Sequence, residues 1–224
     1  MAKILYCIPG LGTDYRIFSE LIPRLNWKGK VEYLDFIAPQ SKYESVADYA
    51  LRLRATLPKD FEEKPIIMGM SLGGMIAQEL AQLIDYEKLI LISTVKTDEE
   101  QPFKLKIWRK IPLHQLLPGN IVKKYGKYWA QKLKLVEEKY LDLVFDMFNA
   151  HSDAHFIWGR NAALQWQGVH NILPNTVHLH GTKDHIFPSK NIKKADFVEG
   201  GTHNLILERA EEAAKWLNAQ LADF

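Results

Sequence analysis

The sequence of 224 residues has a single cysteine, Cys7. One thiol cannot close a disulfide within the chain or supply a thiolate cluster, so a disulfide scaffold and a cysteine-built metal centre are excluded, and a reducing compartment fits. Cys7 lies inside an apolar run and reads as a small buried hydrophobe. An excess of one charge is also missing. The 29 Lys and Arg against 27 Asp and Glu leave a formal charge of +2, too near balance for the electrostatic footprint of a nucleic-acid binder. No stretch approaches the roughly 18 uninterrupted apolar residues of a membrane span. Met1-Ala2-Lys3-Ile4-Leu5-Tyr6 runs straight into a strand-like segment with no room for a signal peptide, so a cytoplasmic protein is expected. Internal repeats and low-complexity tracts are absent. What is present is a 47% share of hydrophobic residues, enough to fill the core of one sizeable domain or of one domain carrying an insertion.

The hydrophobic periodicity alternates between two and three-to-four along much of the chain. Lys3 to Ile8 is a strand-like run that stops at the turn cluster Pro9-Gly10-Leu11-Gly12. Thr13 or Asp14 can then cap a helix with Ile17, Phe18, Leu21, Ile22 and Leu25 on one face. Val31 to Ile37 reads as a second strand, and Ser45 opens a helix with Val46, Ala50, Leu53 and Leu57 on one side before Pro58. Pro65 to Gly69 is a third, buried strand, followed by a helix from about Leu72 to Ile84, and Lys88 to Ser93 is a fourth strand. From about Lys96 to Gln167 the alternation stops. Residues such as Ile107, Trp108, Leu133, Leu135, Leu141 and Phe145 there suggest amphipathic helices without a convincing strand. Val177 to His180 resumes the strand pattern, Ala195 to Val198 is a further short strand, and Leu207 to Leu221 closes with a helix. The expected fold is α/β: a doubly wound, mostly parallel sheet of about six strands, with residues 1–95 and 168–224 as its core and 96–167 inserted after the fourth strand.

Gly69-Met70-Ser71-Leu72-Gly73 stands between an apolar strand and an apolar helix, where a tight turn would lift a nucleophile above the carboxyl edge of the sheet. Glycines flank Ser71 because such a turn brings backbones too close for a Cβ. The first amide of the following helix, Leu72 N–H, points toward developing negative charge. A serine hydroxyl is a poor nucleophile at neutral pH and needs a histidine base, itself held in one tautomer by a carboxylate. His180-Gly181-Thr182-Lys183-Asp184 puts Asp184 in a loop beyond a strand, and Gly200-Gly201-Thr202-His203 puts His203 in the loop before the last helix. The chain order Ser71, Asp184, His203 is the one expected of a triad on this kind of sheet. Of eight histidines, His203 alone sits in such a loop, whereas His178 and His180 alternate onto one strand face. Leu11 N–H, at the end of the first strand, supplies a second oxyanion donor.

These segments together resemble an α/β-hydrolase with a helical cap. The resemblance spans nearly the whole chain as an architecture. It rests on Pro9 to Gly12, Gly69 to Gly73, His180 to Asp184 with Pro188 following, and Gly200 to His203. It implies Ser71 as nucleophile, His203 as base and later acid, Asp184 as the orienting carboxylate, and Leu11 and Leu72 as oxyanion amides. It also implies a cap over the pocket formed by 96–167, with Gly10, Trp129 and Phe148 as candidate substrate contacts. The chain departs from the family pattern in three ways: Pro9 stands where a histidine is frequent, two leading antiparallel strands are missing, and little sequence separates Asp184 from His203. A trimmed version of the fold is expected, and Asp98, after the fourth strand, is the substitute acid should Asp184 lie elsewhere.

Other signals are weaker. Gly10-Leu11-Gly12 lacks the third glycine of a dinucleotide fingerprint, since Tyr15 stands there, and Met75 occupies the lysine position of a phosphate loop. His151 and His155 have helical spacing without the intervening glutamate of a zinc-protease helix, and His178, His180, Asp184 and His185 form no established ligand pattern. Lysines from Lys104 to Lys139 interleave with Trp108, Tyr125, Tyr128 and Trp129, which reads as a solvated face over buried aromatics rather than a nucleic-acid surface. The expected activity is hydrolysis of a carboxylic ester or thioester without cofactor or metal, by a monomer or small homo-oligomer acting on a small molecule. A lyase or carbon–carbon hydrolase using the triad for proton transfer, and a non-catalytic small-ligand receptor, are the alternatives.

Overall fold

The computed structural model describes residues 3–110, 126–128, 130–132, 136–169 and 171–224. Its strands are β1 (Ile4–Ile8), β2 (Lys30–Tyr33), β3 (Ile66–Met70), β4 (Lys88–Ile92), β5 (Thr176–Gly181) and β6 (Asp196–Val198). They form one sheet in the order β2-β1-β3-β4-β5-β6, and each neighbouring pair is parallel. Helices α1 (Val46–Arg54) and α2 (Leu72–Ala81) connect the first strands. Between β4 and β5 run α3 (Phe103–Lys110), α4 (Glu138–Ala150) and α5 (Asp153–Gln165), and the chain closes with α6 (Leu205–Glu208) and α7 (Ala210–Gln220).

Side-chain alternation on the strands builds a core on each face of the sheet. Ile67, Leu89 and Leu91 pack with α1 and α2 through Ala50, Leu53, Met75 and Leu80. Their neighbours Ile66, Met68, Ile90 and Ile92, together with Leu5 and Cys7, pack with α6 and α7 through Leu205, Ala213 and Leu217. Cys7 is the small buried hydrophobe expected of it, fully excluded from solvent, and burial raises its thiol pKa.

Local chemistry shortens several expected elements. The helix foreseen after Asp14 is two 3₁₀ turns, Tyr15–Phe18 and Ile22–Arg24; Pro23 lacks the N–H that a continuous helix would need there. Asp14 nevertheless caps the first turn, accepting from the Arg16 amide at 3.0 Å. Strand β2 stops at Tyr33, not Ile37. Leu34 N donates to Cys7 O at 2.9 Å, and the next ladder bond would have to come from Pro9, which has no N–H. Helix α1 begins as expected, with the Ser45 hydroxyl accepting from Asp48 N. The closing helix breaks at Arg209 into α6 and α7.

The segment between β4 and β5 leaves and rejoins the sheet through one neck, where Thr97 and Gly168 form an isolated antiparallel bridge. Among its described residues it contributes helices and no strand of the sheet. Leu133 and Leu135 lie outside the described residues. Between β5 and β6 the short connection holds only a 3₁₀ turn, Ser189–Asn191, so no full helix separates the last two strands.

Candidate active site

The strand order reverses between β1 and β3, which run side by side while their crossovers lead to opposite sides. In an open parallel sheet this is the place where a crevice forms beyond the carboxyl ends. The turn after β1 and Ser71 after β3 meet there. Ser71 has φ 53° and ψ −121°, a backbone region that costs a non-glycine residue strain. The surrounding contacts hold it. Its N–H donates to Ile92 O, its carbonyl accepts from Gly74 N, and the Thr94 hydroxyl donates to the same carbonyl at 2.7 Å. A Cβ on Gly69 would come within 2.3 Å of Gly73 O, and one on Gly73 within 2.3 Å of both Ile8 O and Pro9 O. Both glycines are therefore required for α2 to start directly against β1 and β3.

His203 enters from the loop between β6 and α6. Its Nε2 is 2.9 Å from Ser71 Oγ and its Nδ1 is 2.8 Å from Asp184 Oδ2. Asp184, in the loop after β5, is buried, and its Oδ1 accepts from the amides of Ile186 and Phe187 at 2.8 and 2.9 Å. Burial pushes the Asp184 carboxyl pKa up, but the charge and hydrogen bond of His203, the nearby His180 and the Phe187 amide outweigh it and hold it below the ordinary value. The carboxylate leaves His203 Nδ1 as the donor and Nε2 as the acceptor facing the serine hydroxyl.

Leu72 is the first residue of α2, so its amide has no acceptor within the helix. Leu11 sits in the turn after β1, which the Thr13 amide and hydroxyl close on Gly10 O at 3.1 and 2.9 Å. Gly10 is buried behind Ser71, where an added Cβ would lie 3.2 Å from Ser71 Cβ. The cavity wall at this turn is made by Leu11, Gly12 and Thr13.

The cavity has a volume of about 420 Å³ and reaches Ser71 and His203. Leu105 of α3, Val144, Phe145 and Phe148 of α4, and Leu164 of α5 form much of its apolar wall. Phe148 meets Phe156 in a tilted pair at 4.1 Å, and the two rings lie over Gly12, where a Cβ would come within 3.0 Å of both and where φ is +76°. Trp129 lies outside the described residues. Arg160 and Lys183, which the sequence patterns did not single out, bring positive charge to the wall, and no carboxylate lines it among the described residues. Asp98 is not brought to His203; its ion-pair partners are Lys106 and Arg109, at 3.0 and 2.8 Å. His178 and His180 are directed to Lys96 Nζ and Phe187 O. Among the described residues no helix is long and apolar enough to cross a membrane.

No protein-family model matches the sequence, and no curated protein does. Solved structures are similar across nearly the whole chain. A carboxylesterase of the ammonia-oxidizing thaumarchaeon Nitrososphaera gargenis is 20% identical with a TM-score of 0.75, over 99% of this chain and 90% of that one. A hydrolase from Pseudomonas aeruginosa is 15% identical with a TM-score of 0.75, over 98% and 90%. An esterase from Exiguobacterium antarcticum is 17% identical with a TM-score of 0.68, over 98% and 92%. The chain has the α/β-hydrolase fold.

Proposed function

We propose that this protein is a serine hydrolase that cleaves a carboxylic ester or thioester of a small or medium, largely apolar substrate through an acyl-Ser71 intermediate. The observation that carries this reading is the hydrogen-bonded line from Ser71 Oγ through both ring nitrogens of His203 to the buried Asp184 carboxylate, opening on an apolar cavity. The esterases among the similar structures support the same chemistry.

In the first half-reaction His203 Nε2 takes the hydroxyl proton as Ser71 Oγ attacks the carbonyl carbon. The amides of Leu11 and Leu72 receive the negative charge on the carbonyl oxygen, where one such donor is worth about 2.7 to 4 kcal/mol. The protonated His203 then gives its proton to the departing alcohol or thiol. In the second half-reaction the same nitrogen takes a proton from water as it attacks the acyl carbon, then gives that proton to Ser71 Oγ as the acyl bond to Ser71 breaks and the acid departs. Asp184 keeps its charge throughout and steadies the imidazolium. The chemistry calls for no cofactor.

Residues 96–167 act in this reading as a helical cap on a core made of 1–95 and 168–224. Phe148 and its neighbours on α4 wall the acyl group off from water, and Gly10 sets the approach of the turn after β1 to Ser71. Hydrolysis of a chromogenic ester series by wild type and by a folded Ser71→Ala variant tests the reading. Loss of turnover in the variant is expected, and unchanged hydrolysis would sink the proposal.

A further inference from the structure

Behind Asp184 the sheet holds a row of ionisable groups that the acyl-transfer steps do not use. His178 and His180 project from one face of β5 and are 3% and 0% exposed. Lys96 and Glu100, which follow β4, are 3% and 1% exposed. Lys96 Nζ lies 3.0 Å from Glu100 Oε1 and 2.7 Å from His178 Nδ1. Glu100 also accepts from the amides of Lys96 and Lys193 at 2.7 and 2.9 Å. The rings of His178 and His180 meet edge to face at 5.4 Å. His180 Nε2 is 2.7 Å from Phe187 O and 3.4 Å from Asp184 Oδ2. The row therefore runs Glu100, Lys96, His178, His180, Asp184, His203, Ser71.

The partners dictate the tautomers. An ammonium has only protons to give, so His178 Nδ1 carries the lone pair and Nε2 the proton. A carbonyl has only lone pairs to offer, so His180 Nε2 carries the proton and Nδ1 the lone pair. The nitrogens left over, His178 Nε2 and His180 Nδ1, are a donor and an acceptor on adjacent rings, and neither has a hydrogen-bond partner among the described residues. Burial first, and then the neighbouring Lys96, lower the His178 pKa. Burial also lowers that of His180, against the opposing pull of Asp184. Both rings are thus held neutral. Apolar side chains like those of β4 would cost the fold less at these positions than buried charges and half-satisfied imidazoles.

We propose that His180 is a positioning residue for Asp184. Its Nε2–H, fixed in that tautomer by donation to the Phe187 carbonyl at 2.7 Å, stands with its positive end 3.4 Å from Asp184 Oδ2, and the His178 ring at the end of the Glu100–Lys96 pair packs edge-on against it. This close approach keeps the carboxylate aligned with His203 Nδ1 and offsets part of its charge. This inference rests on the acyl-Ser71 reading. The groups that face His180 are Asp184 and His203 from the loops after β5 and β6, Lys96 from the segment after β4, and His178 on its own strand; Phe197 of β6 adds an uncharged ring at 6.3 Å. Without the His180 N–H, the charge on Asp184 Oδ2 falls to His203 alone. The imidazolium is then better stabilised, and the acid limb of the kcat/KM profile moves to higher pH while turnover drops through lost alignment.

The test compares wild type, His180→Leu, His180→Gln, His178→Leu and the double His178→Leu/His180→Leu variant on one chromogenic ester, with active sites titrated by a fluorophosphonate. In His180→Leu, kcat per labelled site should fall about tenfold or more with KM within about twofold, and the acid limb should shift upward. His180→Gln, whose amide N–H can reach the same two oxygens, should recover most of both. His178→Leu should move the limb the same way and add nothing further in the double variant, as expected when one residue acts through another. An unchanged limb and unchanged kcat per labelled site in His180→Leu would overturn the proposal, whatever the yield of folded protein. Should His180→Leu fail to fold, an unmoved limb in His178→Leu overturns it. A wild type that takes up no probe brings down the acyl-Ser71 reading and this inference with it, whereas a labelled, active wild type with an unmoved limb in the variants overturns only the role of His180.

Discussion

His203 Nε2 lies 2.9 Å from Ser71 Oγ, although 132 positions of sequence separate the two residues. Ser71 is held through its backbone and His203 through its ring. Ser71 stands on a turn fixed by backbone bonds to Ile92 and Gly74, and His203 is steered by a carboxylate that two backbone amides already hold. Preorganisation of this kind lets a hydroxyl and an imidazole meet without reorganisation at the moment of reaction.

The turn glycines differ in what they tolerate. Gly73→Ala drives a Cβ to within 2.3 Å of two backbone carbonyls of the β1 end, so β1 or α2 must shift. A loss of more than about 2 kcal/mol is expected by urea denaturation. Gly10→Ala places a Cβ 3.2 Å from Ser71 Cβ, with Met70 O and Thr13 Oγ1 at the ordinary contact distances of 3.6 and 3.7 Å. It should leave stability within about 0.5 kcal/mol and lower kcat by crowding the serine. Equal stability of the Gly73→Ala variant and wild type would contradict the close approach of α2 to β1.

The two candidate acids separate cleanly. Asp184→Asn forces the wrong tautomer on His203 and should lower kcat by about 10⁴. Asp98→Asn breaks only ion pairs with Lys106 and Arg109, so turnover should stay within about twofold of wild type, since partly exposed pairs of this kind contribute little. Steady-state kinetics on one ester decide it, and near wild-type turnover by Asp184→Asn would transfer the role away from Asp184.

In the proposed reading Phe148, a cavity-wall residue that meets Phe156 at 4.1 Å over Gly12, limits the length of the acyl group. Phe148→Ala should move the preferred acyl chain toward greater length and lower kcat/KM for the best wild-type ester by about tenfold. An unchanged chain-length profile would place the acyl group elsewhere in the cavity.

Acid stability should depend on His155. This residue is 4% exposed, with Phe36 at 4.5 Å and His151 stacked at 4.6 Å. Burial, and then the proximity of His151, bring its pKa from 6.5 to about 4. Between those values the unfolded chain binds a proton that the folded chain refuses, so stability falls as pH drops through this window, by up to about 3 kcal/mol for this group. His178 and His180 act in the same direction. Asp184, whose pKa is depressed in the fold, adds its own loss only below the ordinary carboxylate value. Urea midpoints at pH 7.5 and 4.5 should drop less in His155→Phe than in wild type, and identical drops would refute the assignment.

The alternation of strands and helices, their order and the three residues now joined by hydrogen bonds were legible because each depends on local chemistry: period, glycine at a tight turn, loops after strands. The failures have equally local causes. Pro23 divided an otherwise convincing helical face, and Pro9 ended β2 from the neighbouring strand, a partner that no one-strand reading can see. The buried row from Glu100 to His180 was visible only as two alternating histidines. Lys96 and Glu100 look like a solvated pair until the fold lays them beside β5. Phe148 was found from its apolar character, whereas Arg160 and Lys183 reached the same cavity without any pattern to announce them.

The most direct test is the intact mass of wild type and of folded Ser71→Ala after exposure to a fluorophosphonate. One adduct per wild-type chain, none on the variant, and ester hydrolysis lost with it are the results the account predicts. A folded wild type that neither takes up the probe nor cleaves any ester of the series would contradict an activated Ser71 and with it the hydrolase reading.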